Sequence, residues 1–239
     1  TGVYQINCSG MEPDGAGEQA KALEELKKRL SEQGLFSQKR PLPRIPKCVA
    51  VITSAGGAAL QDVINIISRR CPVVKLIVIP AKVQGDDADL SVAAALRRAQ
   101  STEADVIIFG RGGGSAEDLG AFNSEVVARA VYSSRIPTIS AVGHETDFSI
   151  ADLVADMRAP TPSAAAELAV PELSAILAAI DGSMEQIRTG VLRRIAESSR
   201  MLESQMALIT ALSPRSRLDN AEQRLDELST RIRTGMHNR

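Results

Sequence analysis

The sequence predicts an α/β fold in which a parallel sheet is covered by helices and is followed by a long helical coiled-coil segment. Between residues 48 and 171, short apolar stretches alternate with helical patterns, and this alternation is typical of parallel sheets that are buried on both faces. From residue 172 onward, apolar residues recur at spacings of three and four, which is the period of helices that pack along one stripe.

The elements before the sheet are a strand, a helix and a linker. Residues 2–8 alternate in the manner of a strand whose sheet partners are missing. A helical period over residues 18–33 stops at Gly34, and glycine commonly follows the last residue of a helix. Residues 36–47 combine prolines with lysines and arginines, which predicts an irregular basic linker.

The remaining elements belong to the sheet and the helical tail. The predicted strands and helices of the sheet region are strands at 49–53, 73–79, 106–109 and 137–142, and helices at 58–70, at 90–100 and from the glycine-rich loop to residue 131. Residues 156–171 predict a loop with a short helix, for which Ser163 is a candidate N-cap. The tail predicts a long helix, a break at Ser213 and Pro214, and a second helix, which form an antiparallel or intermolecular coiled coil.

Composition narrows the function classes. The net charge of −1 gives no bulk signal for nucleic acid, so any such site must be local. The three cysteines lack metal-ligand spacing and are interpreted as reduced thiols of a cytoplasmic protein. No apolar run approaches the length of a membrane span, so no membrane partner is expected. With no Trp and 3% aromatic residues, an extended base-stacking platform is not expected.

Three unusual loops follow predicted strands: SAGG at 54–57, GRGGGS at 110–115 and GHETD at 143–147. The carboxyl ends of parallel strands share one edge, where ligands bind. Glycine-rich turns before helices expose N–H groups that favour an anion, and an arginine fork suits phosphate oxygens. Ser115 breaks the dinucleotide pattern and no Walker lysine follows, so neither nucleotide fingerprint is matched. The predicted phosphate- or DNA-binding residues are Ser54, Gly56, Gly57, Gly112, Gly113, Gly114, Ser115, Arg158 and Thr161, beside the cation Arg111.

The candidate acid–base residues lie at the same edge. His144 follows a strand and a glycine, and Asp147 comes three residues later. Histidine is the side chain best suited to move protons near neutral pH, and Asp147 would orient the imidazole or act as a second acid or base. Asp62, in the second turn of the helix after SAGG, is placed to point back at this edge. Carboxylates near a phosphate could also hold Mg²⁺, but no ligand spacing predicts a required metal.

These residues also resemble a known family. The matching stretches are VITSAGGAALQD (51–62), GRGGGSAEDL (110–119), AFN (121–123) and SAVGHETDFSIADLVADMRAPTPSAAAEL (140–168), with YQI (4–6) and LSEQGLF (30–36) also fitting. On these stretches the chain resembles the large subunit family of exodeoxyribonuclease VII from residue 2 to about residue 171. After that point the coiled coil is similar in kind rather than in motif.

The resemblance implies a cytoplasmic bacterial nuclease of DNA repair that degrades single-stranded DNA from either end to oligonucleotides and 5′-phosphomononucleotides. It also implies a small helical subunit that packs along the coiled coil in a hetero-oligomer, and no strict metal requirement. The family's functional positions match Asp62, Arg111, His144 and Asp147.

The chain also departs from the family pattern. By the resemblance, residues 1–10 are the last strand of an N-terminal OB-fold domain, 11–47 a helix and linker, 48–171 the α/β catalytic domain, and 172–239 part of a longer coiled coil. Gly120 stands where the family usually has Trp. We therefore expect this chain alone to bind DNA and its partner less well than a full-length relative.

Two other function classes stay open from the residues alone. A phosphotransferase would use the glycine loops for a nucleotide and would show saturable ATP binding, although the missing P-loop lysine argues against it. A non-catalytic scaffold would recruit partners through its coiled coil, and replacement of His144 would then leave every activity unchanged.

Overall fold

The structure, a computed structural model, describes residues 15–112, 116–143 and 148–237. The predicted fold class is confirmed in these residues, which form a parallel five-stranded sheet with helices on both faces and then two long helices. The strands are β1 (Cys48–Thr53), β2 (Lys75–Pro80), β3 (Val106–Gly110), β4 (Thr138–Ala141) and β5 (Met157–Arg158). Four of them were predicted, whereas β5 was not. The strand predicted at residues 2–8 lies outside the described residues.

The helices largely follow the predicted periods. They are α1 (Gly15–Glu32), α2 (Ala58–Arg70), α3 (Ala88–Ala99), a 3₁₀ helix (Ala116–Asn123), α4 (Glu125–Tyr132), α5 (Ile150–Val154), α6 (Pro162–Ala169), α7 (Leu173–Ala211) and α8 (Pro214–His237). The single helix predicted from the glycine-rich loop to residue 131 is wrong. The 3₁₀ helix ends at Asn123, and Ser124 starts α4 as its N-cap, because its Oγ accepts a hydrogen bond from the Val126 N–H at 3.2 Å.

The strand order is β2-β1-β3-β4-β5, with every pair parallel. One face of the sheet packs against α2 and α6, and the other packs against α1, α3, the 3₁₀ helix, α4 and α5. All residues of β1 and β3 are buried, which explains why their sequences are continuous apolar runs rather than alternating ones.

Helix α1 and the linker are attached to the sheet domain by specific contacts. The helix ends in a Schellman motif, since Gly34 has a φ of 78° and the N–H groups of Gly34 and Leu35 donate to the carbonyls of Ser31 and Leu30 at 2.9 and 3.1 Å. Leu30 and Leu35 are both buried in the core. The predicted end of this helix at Gly34 is therefore confirmed, and a buried apolar pair holds it in place.

The linker is irregular, as predicted, but two of its basic side chains have fixed structural partners. Lys39 donates to the carbonyls of Leu153, at 2.6 Å, and Ala155, at the carboxyl end of α5. Arg40 donates from Nε and from its backbone N–H to Asp156 Oδ1, at 2.9 and 2.7 Å.

The carboxylate of Asp156 is fully buried and also contacts the start of β4. Its Oδ2 accepts hydrogen bonds from the N–H and the hydroxyl of Thr138 at 2.7 and 3.0 Å. Burial alone would raise the pKa of Asp156, but the hydrogen bonds from Arg40 and Thr138 outweigh it and hold the pKa below its ordinary value. Asp156 therefore joins the linker to the sheet as a carboxylate.

The chain divides into two compact units, and the second begins at Leu177. Ser213 caps α8 by accepting from the Ser216 N–H at 3.1 Å, and Pro214 is the first helical residue, so the break predicted here is confirmed. The large apolar residues of this unit are 50% to 77% exposed. The stripe predicted for a coiled coil is therefore not covered by the described residues of this unit. By length and composition alone, residues 162–211 would also suffice for a membrane span.

Candidate active site

The carboxyl ends of β1, β3 and β4 are neighbours at one edge of the sheet. In the register of the strands, Phe109 of β3 pairs with Ile52 of β1 on one side and with Ser140 of β4 on the other. The described parts of the three predicted loops, residues 54–57, 110–112 and 143, therefore leave the sheet side by side. This adjacency follows from the strand order, which local sequence patterns do not specify.

The edge also contains the switch point of the sheet. Strand β1 leads to α2 on one face, whereas β3 is followed by the 3₁₀ helix and α4 on the opposite face. In doubly wound sheets of this order, connections that diverge from neighbouring strands leave a crevice beyond their carboxyl ends, and ligands bind there. The crevice between β1 and β3 is thus the position where the fold itself favours a site.

Gly110 lets the chain pass closely by β4. A Cβ atom at Gly110 would lie 2.3 Å from the carbonyl oxygen of Ala141 in β4, whereas one at Gly112 would lie at an ordinary contact distance, 3.8 Å from the backbone nitrogen of Ala59 in α2. No side chain fits at position 110 without moving β4, since the clashing atom belongs to the backbone. From the end of β3, residues 110–112 therefore pass alongside β4 and then reach the first turn of α2.

The first turn of α2 presents backbone donors to the same point. Its N-cap is Gly57, which makes no side-chain cap, and the preceding turn is closed by the Gly57 N–H donating to the Ser54 carbonyl at 3.3 Å. Ser54 and Gly57 are partly buried, whereas Gly56 is exposed. The first N–H groups of a helix have no intrahelical acceptor and favour an anion, so this turn can hold a phosphate.

Helix α6 begins near the same place. Its first residue, Pro162, lines a narrow gap in the packing together with Thr53, Ala59, Gly110 and Ala141. Thr161 is the N-cap of α6, and its hydroxyl accepts from the Ala164 N–H at 3.1 Å. The alternative that Ser163 is the N-cap is therefore wrong. The N-termini of α2 and α6 converge on the ends of β1, β3 and β4, and both add positive potential there.

Arg111 and Asp62 flank this convergence. Arg111 directly follows β3, is 5% exposed, and donates its backbone N–H to the Ala141 carbonyl at 3.4 Å. Asp62 is exposed in the second turn of α2, three residues after Ala59. Side chains three residues apart are neighbours on a helix and lean toward its N-terminus, and a role of Asp62 at this edge stays a prediction.

Arg158 lies two strands from Arg111 along the same edge, at the end of β5, where it pairs with Ser140 of β4. Its guanidinium carbon is 4.0 Å from the centre of the Phe148 ring, which is the distance of a cation–π contact. The structure thus brings Ser54, Gly56, Gly57, Arg111 and Gly112 to the β1–β3 crevice and leaves Arg158 farther along the edge.

Other predicted site residues lie outside the described residues, namely Gly113, Gly114, Ser115, His144 and Asp147. Their roles stay predictions. Among the residues that the structure describes, no group of three or more His, Cys, Asp or Glu side chains is placed to hold a metal ion.

Sequence reasoning missed a buried polar network that joins β4 to the start of α5. Asp152 is 5% exposed, and its carboxylate accepts hydrogen bonds from Ser140 Oγ at 2.6 Å, Ser149 Oγ at 2.7 Å and the Ser149 N–H at 2.9 Å. Asn123 Oδ1 accepts from the Ile150 N–H at 2.9 Å. The available signal was the S-x-x-D spacing of a capping box at residues 149–152. The network fixes the described residues on either side of 144–147.

Comparison with known proteins agrees with this architecture. The model of a family described as "Exonuclease VII, large subunit" matches residues 35–239. The chain is 45% identical over 234 residues to the "Exodeoxyribonuclease 7 large subunit" of Geobacillus kaustophilus, covering 97% of this chain and 52% of the relative. It is 46% identical over 241 residues to the protein of that name from Desulfitobacterium hafniense, covering 98% and 59%.

A third relative, from Bacillus cytotoxicus and with the same name, is 56% identical over 176 residues, covering 72% of this chain and 39% of the relative. The chain spans about half the length of the curated relatives it matches. The match includes the linker, the sheet and both long helices, and the resemblance seen in the sequence is confirmed: this chain belongs to the exonuclease VII large subunit family.

Proposed function

We propose that the protein containing this chain is an exonuclease that hydrolyses single-stranded DNA from either end and releases oligonucleotides and 5′-phosphomononucleotides. The observation that carries the proposal is the junction of β1, β3 and β4, where the buried Arg111 lies between the glycine turn of residues 54–57 and residues 142–143. The relatives named as large subunits of an exodeoxyribonuclease support the exonuclease class.

Phosphodiester hydrolysis needs a held phosphate, cations for the developing charge and a route for protons. Arg111 and the backbone N–H groups of residues 112–114 hold the phosphate, helped by the first turn of α2. His144 transfers the proton, and Asp147 or Asp62 orients the imidazole of His144 or activates water. Mg²⁺ is not required in this scheme, because the cationic groups belong to the protein.

The proposal includes a partner and a setting. The exposed apolar stripe of α7 and α8 would bind a small helical subunit, because helices with apolar residues at spacings of three and four pack against one another. The assembly is a hetero-oligomer that acts on single-stranded DNA in the cytoplasm. Because this chain spans about half of its relatives, activity belongs to the full-length protein with that subunit.

The test is single-turnover cleavage of end-labelled single- and double-stranded DNA by the full-length complex, with and without a chelator, beside binding at fixed salt. We expect His144→Ala to lower cleavage on the order of 100-fold or more, the scale of a lost acid or base, and to leave binding nearly intact. Arg111→Lys should lose most cleavage, because lysine keeps the charge but not the fork. Normal cleavage by the His144 variant would refute the mechanism, and no cleavage by the wild-type complex would refute the function.

A further inference from the structure

Phe148 is an exposed aromatic residue in a chain that has few. The sequence contains four Phe, two Tyr and no Trp. Phe109 and Phe122 are fully buried and stack with ring centres 6.3 Å apart, and Phe36 packs against the core. Phe148, in contrast, is 51% exposed. The hydrophobic core therefore does not account for this ring.

The surroundings of Phe148 hold it firmly at the carboxyl edge of the sheet. The next two residues, Ser149 and Ile150, are fully buried, and Ser149 is bonded to Asp152. The guanidinium of Arg158 covers one face of the ring at 4.0 Å. With that cation in place, about half of the side chain is still exposed and retains surface for a further contact.

The position of the ring relates it to the proposed phosphate site. Phe148 lies over the end of β5, two strands from the end of β3 where Arg111 begins, and strands are spaced about 4.8 Å apart. The two positions are thus separated by roughly 10 Å. A single strand whose phosphate lies at the β1–β3 crevice can therefore place a neighbouring base against Phe148.

We propose that Phe148 is a base-stacking subsite. The ring face opposite Arg158 binds a nucleobase of single-stranded nucleic acid, while Arg158 supports the other face. The ligand class rests on the proposed function. Every base has a π-face, so a lone aromatic ring binds bases without selecting a sequence. A cation over one ring face also fixes the ring in the orientation that stacking requires.

The test measures binding of single strands to the full-length complex carrying Phe148→Ala, Phe148→Tyr or Tyr132→Ala. Tyr132 is a matched control, because it is 38% exposed at the end of α4, which runs away from the carboxyl edge. Each protein is titrated with an intact strand and with strands in which one abasic residue is moved from position to position. We expect Phe148→Ala to weaken binding of the intact strand about 5- to 150-fold, the value of stacking one base.

The diagnostic result is the coupling between protein and base. At one position, the abasic residue should weaken wild-type binding but have no further effect on Phe148→Ala, whereas Phe148→Tyr and Tyr132→Ala should behave as wild type. Equal weakening of intact and abasic strands at every position would mean that the ring only holds Arg158, and would overturn the inference. Unchanged binding by Phe148→Ala would also overturn it.

The outcomes separate this inference from the proposed function. A wild-type complex that shows the coupling but does not cleave would refute the nuclease function and leave the stacking subsite standing. A complex that cleaves DNA but shows no coupling would refute the stacking subsite and leave the nuclease function standing. A wild-type complex that binds no single strands would overturn both.

Discussion

Replacing Asp152 should destabilise the sheet domain and impair the segment that contains His144. Its buried carboxylate accepts three hydrogen bonds, two from Ser149 and one from Ser140. A hydrogen bond to a charged group contributes about 1.5–3 kcal/mol, and a buried donor left without an acceptor costs about 1–3 kcal/mol. Partial rearrangement of the two hydroxyls reduces the sum, so we expect Asp152→Ala to lower the free energy of unfolding by about 3–5 kcal/mol.

Two further substitutions separate the contributions of the individual hydrogen bonds to the free energy of unfolding. Ser140→Ala removes one of the three bonds and should cost about 1.5–3 kcal/mol. Asp152→Asn keeps the size of the side chain, and its amide can donate to Ser140 Oγ while its oxygen accepts from Ser149, so it should cost less than Asp152→Ala. Ser133→Ala is the matched control, because this serine is exposed and its hydroxyl donates to the Ala130 carbonyl at 3.2 Å, so its loss should change stability by less than about 0.5 kcal/mol.

The assay is urea unfolding followed by hydrogen exchange of the β3 and β4 amides, because circular dichroism would mainly report the long helices. Cleavage by the full-length complex is measured in parallel. Asp152→Asn should lower kcat more than it raises KM, because Asp152 joins β4 to the start of α5 and is not one of the residues proposed to bind substrate. If Asp152→Ala and Ser140→Ala each cost no more than the Ser133 control, the network does not stabilise this segment and the reasoning is refuted.

The remaining predictions concern backbone space and pH. Gly110→Ala should lower the free energy of unfolding by about 1–3 kcal/mol and reduce cleavage, because its Cβ would meet the Ala141 carbonyl at 2.3 Å; equal stability in urea would contradict the close approach. The pKa of Asp156 is held below its ordinary value of 3.8, so its contribution to stability is complete above that pH and is lost as the pH falls through the lower pKa. Asp156→Asn should therefore reduce the slope of unfolding free energy against pH below about pH 4, and an unchanged slope would show that Asp156 does not contribute.

The sequence could predict elements whose signals are local. The continuous apolar runs of β1 and β3 identify buried parallel strands, and Gly34 marks the end of α1. It could not predict β5, because two residues are too few for a periodic pattern. The helix predicted after the glycine-rich loop is interrupted at Ser124, whose side chain caps α4. Whether a serine caps a helix or continues it depends on the folded backbone around it.

The linker shows a second limit of sequence reasoning. Lys39 and Arg40 belong to a stretch that predicts only an irregular basic linker, yet their partners lie 91 to 116 residues away in sequence. Local composition contains no information about such contacts. Burial also lowers the pKa of Lys39, against the attraction of Asp156, which is unusual for a solvated linker residue.

These long-range contacts converge on α5, which connects the His144 segment to β5. A helix of five residues is too short to be stable by itself. Ser149 and Asp152 hold its first turn, with Asn123 bonded to the Ile150 N–H, while Lys39 holds its last carbonyls. Hydrogen bonds from the linker, the 3₁₀ helix and β4 thus add to the few that this short helix makes within itself. The linker, which lies within the family match from residue 35, is thus held to the sheet domain at α5 and Asp156.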